Sequence, residues 1–530
     1  MKAGETMKPD ISSPRRLRVL DATLRDGDQA AGFAFPVRAK LEIARALAAS
    51  GVDIIEAGFP LSSAADGEAC ALIAEEFAGG VDAPSVAPMI ALMCRAIPAE
   101  IRKTAAFFRS NTRGILHLSL PVSDLHISSK LGLDPAALLD RAVQSVRIAR
   151  TLACEVEMGA EDATRADRDF LVEYCDAVTS MGARTVNIAD TVGRALPDEF
   201  ASLISYLLQK VPAFRDGSSI ISVHCHNDLG LASANTLAAI GARCGQIEVC
   251  ALGLGERAGN AALEEISAIL DTRLETYNVR TGLIPSAIGN LTRLVSGYAG
   301  TSLSPLKPVT GSNIRAHASG IHQHGISRNR EAYRSFDAGK FDTVPERIVL
   351  SRHSGRSGVE MAARHYAGVQ LTIVQAERLL ERIKGTLRDD ESLFGITEFL
   401  LLLKAEGLLV KPVVSCRDVL LTADTDCYVL SGTFLINAIT GIRSFFETGR
   451  GESLSESALA LIGRLFSLDI LIQALCISGY GNGKNFRWRV YIEASVAETC
   501  AETFAVERIG HDQNRLIIDA LLDIYNVLRE

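Results

Sequence analysis

The stretch SVHCHNDLG, residues 222–230, closes an apolar run and sets two histidines on either side of one cysteine. Side chains i and i+2 of a strand share a face, so His224 and His226 converge while Cys225 points away. Two neighbouring imidazoles are either half of a metal site or a hydrogen-bonded core pair. Asp26, in TLRDGDQ after the first strand-like run, tips the balance. One carboxylate with two imidazoles is a mixed oxygen and nitrogen set that leaves positions open for substrate and water, a catalytic kind of site for Mg2+, Mn2+ or Zn2+. Arg25, beside Asp26, carries a permanent charge in a fixed fork and suits an oxyanion developing on a carbonyl; its plainer use is a rim salt bridge.

These donors act together only if the fold brings them to one place. Strand-like runs followed by turn signals are RLRVLDAT, VDIIEAGF, SVAPMIALM, GILHLSL, CEVEMGAED, TVNIAD, IISVHCHN and QIEVCALGLG. They recur roughly every 30 residues, separated by segments with helical periodicity such as VRAKLEIARALAASG. Eight strands alternating with helices predict an α/β fold, a (β/α)8 TIM barrel, in which strands one and seven flank strand eight on closure. Chemistry then belongs just past the C-terminal strand ends. Polar residues collect there, Gln29, Glu56, Arg95, His117, Glu161, Asp162, Asp190, Thr191 and Asn260, with the two histidines on strand seven, and Asn187 lies within strand six. Of these, Gln29, Glu56, Arg95, His117, Asn187 and Thr191 are candidate substrate-binding residues.

At 530 residues the chain is too long for one core. The barrel is expected over 16–290, a helical subdomain over 291–405 and an α+β region over 406–530, with 1–15 a disordered arm. The net charge of −8 gives no support to nucleic-acid or anionic-membrane binding, while leaving room for a local basic patch. Eleven cysteines without a CxxC pair suit reduced thiols and the cytoplasm. No secretory signal opens the chain, and the apolar stretch from 458 is broken by Arg464 and Asp469, which excludes a comfortable membrane span. GLGERAG lies one residue off the dinucleotide fingerprint and follows the last barrel strand, so nicotinamide and flavin binding are rejected.

DATLRDGDQ, IEAGFP, GAEDATRAD, IADTVG, HCHNDLGLASANTLAAI, GLGERAGNAALEE and HASGIHQHG together resemble the 2-isopropylmalate synthase and homocitrate synthase family, condensing enzymes of the TIM-barrel metallolyase type. The resemblance implies a divalent metal on Asp26, His224 and His226 with Asn260 in or next to its shell, catalytic positions at Arg25 and Glu161, and Thr191 on the carboxylate of a 2-oxo acid. It also implies that His322, preceded by His317, helps in proton transfer. His324 stands where the family usually has an acidic residue. The implied reaction is a Claisen condensation of acetyl-CoA with a 2-oxo acid, followed by thioester hydrolysis, in a homodimer whose helical subdomain reaches over a barrel mouth.

From about 410 the chain reads as a repeat: two strand-like runs, then a strand, a Gly-containing turn and an amphipathic helix, twice over. In plan this looks like the family's C-terminal regulatory domain, which implies an amino-acid effector. The favoured acceptor is 2-oxoisovalerate, giving 2-isopropylmalate synthase-like activity. HLSLPVSDLHISSKLGLDP resembles nitrogenase-type homocitrate synthases instead, and citramalate, aryl- or alkylmalate synthesis is not separated by these motifs. A retired, metabolite-sensing barrel is disfavoured by the complete donor set, and a lyase by the long tail.

Overall fold

The computed structural model describes residues 13–78, 87–108, 111–300, 303–341, 347–387 and 393–409, and in the C-terminal part 413–423, 428–438, 441–451, 470–480, 487–496, 503–510 and 513–528. Most of the expected N-terminal arm and the helix expected in the first tail repeat lie outside them. Eight parallel strands close a barrel: β1 (Arg18–Asp21), β2 (Ile54–Gly58), β3 (Met89–Arg95), β4 (Gly114–Pro121), β5 (Glu155–Glu161), β6 (Thr185–Asp190), β7 (Ile220–Cys225) and β8 (Gln246–Val249). Closure pairs Arg18 with Gln246 and Ser222 with Gln246, so β8 lies between β7 and β1 as expected from the strand count.

The surrounding helices follow from local sequence. In Pro135–Ala149, the Asp134 side chain accepts the Ala137 N–H at 2.8 Å, Pro135 opens the first turn, and Leu138, Ala142, Val146 and Ala149 turn inward. Burying side chains such as Leu138 and Val146 stabilises the helix against the barrel by about 1.5–3 kcal/mol each. Inside the barrel, β1 to β4 contribute an apolar cluster of Leu20, Ile54, Ala91 and Ile115. The later strands contribute polar side chains instead. Gln246 donates to both Glu157 carboxylate oxygens (3.0 and 2.9 Å) and to Ser222 Oγ (3.1 Å), all fully or almost fully buried.

The chain divides into two compact units: one reaches residue 301 and takes in 340–342, the other holds 302–339 and 343–530. Helix Pro285–Ala299 thus belongs with the barrel, while the helical stretch and the tail share the second unit. There, helices Arg356–Ala367, Ile373–Thr386 and Ile396–Ala405 bury Val359, Tyr366, Leu379, Ile383, Phe399 and Leu403 together. The tail forms two antiparallel three-stranded sheets, β9 (Val413–Ala423), β10 (Tyr428–Ala438), β11 (Gly441–Gly451) and β12 (Ile470–Tyr480), β13 (Arg487–Val496), β14 (Thr503–Gly510). Each has a register shift near the start of its first strand, at Cys416/Asp418 and Ile472/Ala474, which matches the repeat read from the sequence. Helix Gln513–Leu528 packs on β13 and β14 and also on β9, so it joins the two copies. Its Asp523 is buried, takes Arg508 through two nitrogens (2.7 and 2.6 Å) and accepts the Thr397 backbone N–H at 2.8 Å.

Candidate metal centre and active site

After β1 the chain tightens into a turn in which the N–H groups of Arg25, Asp26 and Gly27 all point at the Ala22 carbonyl (3.0, 2.9 and 3.1 Å). That turn hangs Arg25 and Asp26 over the barrel mouth. β7 supplies His224 and ends at Cys225, while His226 is held just beyond by a bridge to Asn260. The two Nε2 atoms lie 3.1 Å apart, and Asp26 Oδ2 is 3.6 Å from one and 3.9 Å from the other. All three side chains are buried.

This donor set fits a cation. His224 Nδ1 faces Glu248 Oε1 at 2.9 Å and His226 Nδ1 faces the Gly259 carbonyl at 3.3 Å. Acceptors at both Nδ1 atoms make these the protonated nitrogens and turn both Nε2 lone pairs toward Asp26. Lone pairs so close, beside a carboxylate, repel unless a proton or cation sits among them. Burial and the neighbouring His224 hold His226 down at about 4, whereas Glu248 and Asp26 outweigh the burial of His224 and raise it. The pair therefore takes up one proton readily, which a metal would replace. Asn260 brings a fourth candidate donor, an oxygen: its Nδ2 donates to the Leu254 carbonyl at 3.0 Å, while its buried Oδ1 has no hydrogen-bond partner among the described residues. The glycines of GLGERAG have a packing role here. A Cβ on Gly255 would stand 2.1 Å from Asn260 Nδ2 and 2.8 Å from Asp26 Oδ1, and the next residue, Glu256, donates its N–H to that Oδ1 at 2.9 Å.

Arg25 is the hub beside this set. Its Nε meets Glu56 at 2.5 Å, Nη1 meets Asp26 at 2.7 Å and Nη2 meets Glu248 at 2.7 Å. Burial disfavours the Asp26 carboxylate, but Arg25 and the histidines hold it down at about 2. His117 on β4 extends the network, with Nδ1 2.6 Å from Glu56 Oε1. Burial alone would depress His117; Glu56 reverses this and lifts it to about 9. With the His224/His226 pair neutral, counting His117 and Arg25 as cations against Asp26, Glu56 and Glu248 leaves one net negative charge, which a proton or a metal cation on that pair offsets.

The remaining expected residues divide. Asn187 is buried with its Nδ2 2.5 Å from Glu248 Oε2, and Thr191 Oγ1 accepts the Asp162 N–H at 2.8 Å. Glu161, at the end of β5, faces His126 (2.9 Å) and Lys130 (2.5 Å). Gln29 is exposed on the turn after Asp26. Arg95 is two-thirds exposed and paired with Glu100, with Nε at 2.9 Å, so it is not drawn into the buried network. His322 belongs to the second unit, on helix Gly320–Arg328, and stacks on Tyr333 with centroids 4.1 Å apart and His317 edge-on at 5.8 Å. His324 Nδ1 lies 3.0 Å from Ser357 Oγ. Sequence reading did not single out Glu248, Glu157 or His126. The first two had a signal, a charged residue two places from a polar one inside an apolar strand. His126 had none, since it reaches Glu161 from the short helix Asp124–His126.

A closed parallel barrel with a buried, cation-fitting donor set and an arginine at its C-terminal mouth defines an enzyme of the metal-dependent barrel class. The HMGL-like family matches residues 16–295, and the family described as homocitrate synthase post-HMGL domain-like matches 309–391. The 2-isopropylmalate synthase of Pyrococcus furiosus is 40% identical over 370 residues, 70% of this chain and 72% of that one. That of Heliobacterium modesticaldum is 34% identical over 479 residues, 90% of this chain and 91% of the other. The chain belongs to the 2-isopropylmalate synthase family. Among the described residues no helix is long and apolar enough to cross a membrane.

Proposed function

We propose that this enzyme condenses the acetyl group of acetyl-CoA with a 2-oxo acid and hydrolyses the resulting thioester, with 2-oxoisovalerate as the favoured acceptor and 2-isopropylmalate and CoA as products. The observation that carries this reading is the convergence of Asp26 Oδ2 with both histidine Nε2 atoms beside Arg25. A divalent cation, Mg2+, Mn2+ or Zn2+, held by Asp26, His224 and His226 with Asn260 as a further donor, supplies Lewis acidity toward the acceptor ketone.

The chain's own residues do the rest. Three of the five Arg25 N–H donors are committed to carboxylates, which fixes the plane of the guanidinium. The two left, one on each terminal nitrogen, are offered to the charge that grows on the ketone oxygen as the new carbon–carbon bond forms. Thr191 and Gln29 hold the acceptor carboxylate, and Glu56, His117 and Asn187 shape the buried floor. Glu161 and His322 move protons: one leaves the acetyl methyl group, one reaches the new hydroxyl, and water then splits the thioester. A homodimer, a cytoplasmic setting and an amino-acid effector at the twin tail sheets belong to the same proposal.

A second reading, 2-oxoglutarate as acceptor and homocitrate as product, is favoured by the Lys130 ammonium, which with the His126 ring lies beside Glu161 and suits a second acceptor carboxylate. The test is CoA release by metal-loaded protein against a panel of 2-oxo acids. Fastest release with 2-oxoisovalerate supports the first reading, a clear preference for 2-oxoglutarate selects the second, and no release with any acceptor overturns both.

A further inference from the structure

Strand β8 is the neighbour of both strands that lead to the metal donors, β1 and β7. Gln246 and Glu248 share a face of β8, so the carboxylate that projects inward there can reach across both strand boundaries at once. Glu248 does so. Oε1 takes Arg25 Nη2 at 2.7 Å and His224 Nδ1 at 2.9 Å, and Oε2 takes Asn187 Nδ2 at 2.5 Å. The side chain is 1% exposed. All three partners donate, so the site asks for a group with acceptor capacity on two oxygens, which a carboxylate has and an amide lacks.

We propose that Glu248 is the positioning residue that sets the metal-binding histidine and the oxyanion arginine as one unit. By accepting the His224 Nδ1–H it fixes the ring so that Nε2 faces Asp26 Oδ2, and by accepting Arg25 Nη2 it fixes the fork that also binds Asp26. The role rests on the proposed function for its kinetic consequence only. The consequence for metal affinity stands without it.

The experiment compares wild type, Glu248→Gln and Glu248→Asp, each first checked for an unchanged melting profile. Calorimetry with Mn2+ and no substrate is expected to show affinity reduced roughly 10- to 100-fold in Glu248→Gln, the size typical of losing a carboxylate behind a metal-binding histidine. Glu248→Asp keeps two acceptor oxygens at a shorter reach and should recover part of it. The turnover number should fall in the same order while the KM for acetyl-CoA stays within a few-fold. Wild-type Mn2+ affinity in a folded Glu248→Gln protein overturns the proposal. If Glu248→Gln does not fold, Glu248→Asp decides by the same affinity measurement. Should wild type bind Mn2+ but release no CoA with any acceptor, the functional reading fails and the affinity arm still judges Glu248.

Discussion

His117 offers the most quantitative check on the electrostatics of the barrel mouth. Its imidazole is buried and sits 2.6 Å from Glu56, with Glu157 and Glu248 also acting on it. Burial pulls its pKa down, and the carboxylates, Glu56 foremost, push it up from 6.5 to about 9. At about 1.4 kcal/mol per pH unit, that gap makes the protonated pair worth about 3 kcal/mol of folding stability. The folded-state value is the higher one. The contribution is therefore complete below about pH 6.5, shrinks as pH rises, and is gone once pH passes about 9. His117→Gln keeps a donor for Glu56 without the titration.

The direct assay is NMR of chelator-treated protein with labelled histidine, in which the variant identifies the His117 resonance among ten. That resonance is expected to keep its protonated shift through neutral pH and to move only near 9. The unfolding free-energy difference between wild type and His117→Gln should narrow by about 3 kcal/mol from pH 6 to pH 10. A resonance that titrates near 6.5, or a difference independent of pH, refutes the reasoning and means that Glu56 is satisfied by Arg25 alone.

Two further outcomes follow from packing. Gly255→Ala drives a methyl group into Asn260 Nδ2 and Asp26 Oδ1, so Mn2+ affinity of the folded variant should fall at least about tenfold in calorimetry; unaltered affinity would show that the loop yields freely. Asp523→Ala strips Arg508 and Thr397 of their buried acceptor, and denaturant unfolding should register a loss of about 3–5 kcal/mol in the second unit. A change under about 1 kcal/mol would mean that water replaces the carboxylate.

The convergence of the two histidines was legible in the sequence because its geometry is that of a regular element: a strand repeats every two residues, so His224 and His226 had to share a face. Asp26 was legible through the barrel rule, which sends chemistry to the C-terminal strand ends. Glu248 escaped because the same rule points past the strand, while this carboxylate works from inside it, and a charge in an apolar run states neither its face nor its partners. Arg95 shows the converse: a strand-end position is necessary for the site but leaves the choice between mouth and rim to local competition, here won by Glu100 in the following helix. The tail repeat was readable as an order of elements, yet its mirrored register shifts and the reach of helix Gln513–Leu528 onto β9 come from pairing between distant segments. That reach has a functional edge. Since Asp523 on this helix also bonds Thr397 at the start of helix Ile396–Ala405, a chain cut after 405 would uncover Phe399 and Leu403, and any loss of effector response would be mixed with loss of fold. The effector question is therefore better put to point variants on the sheets of the intact chain than to a truncation.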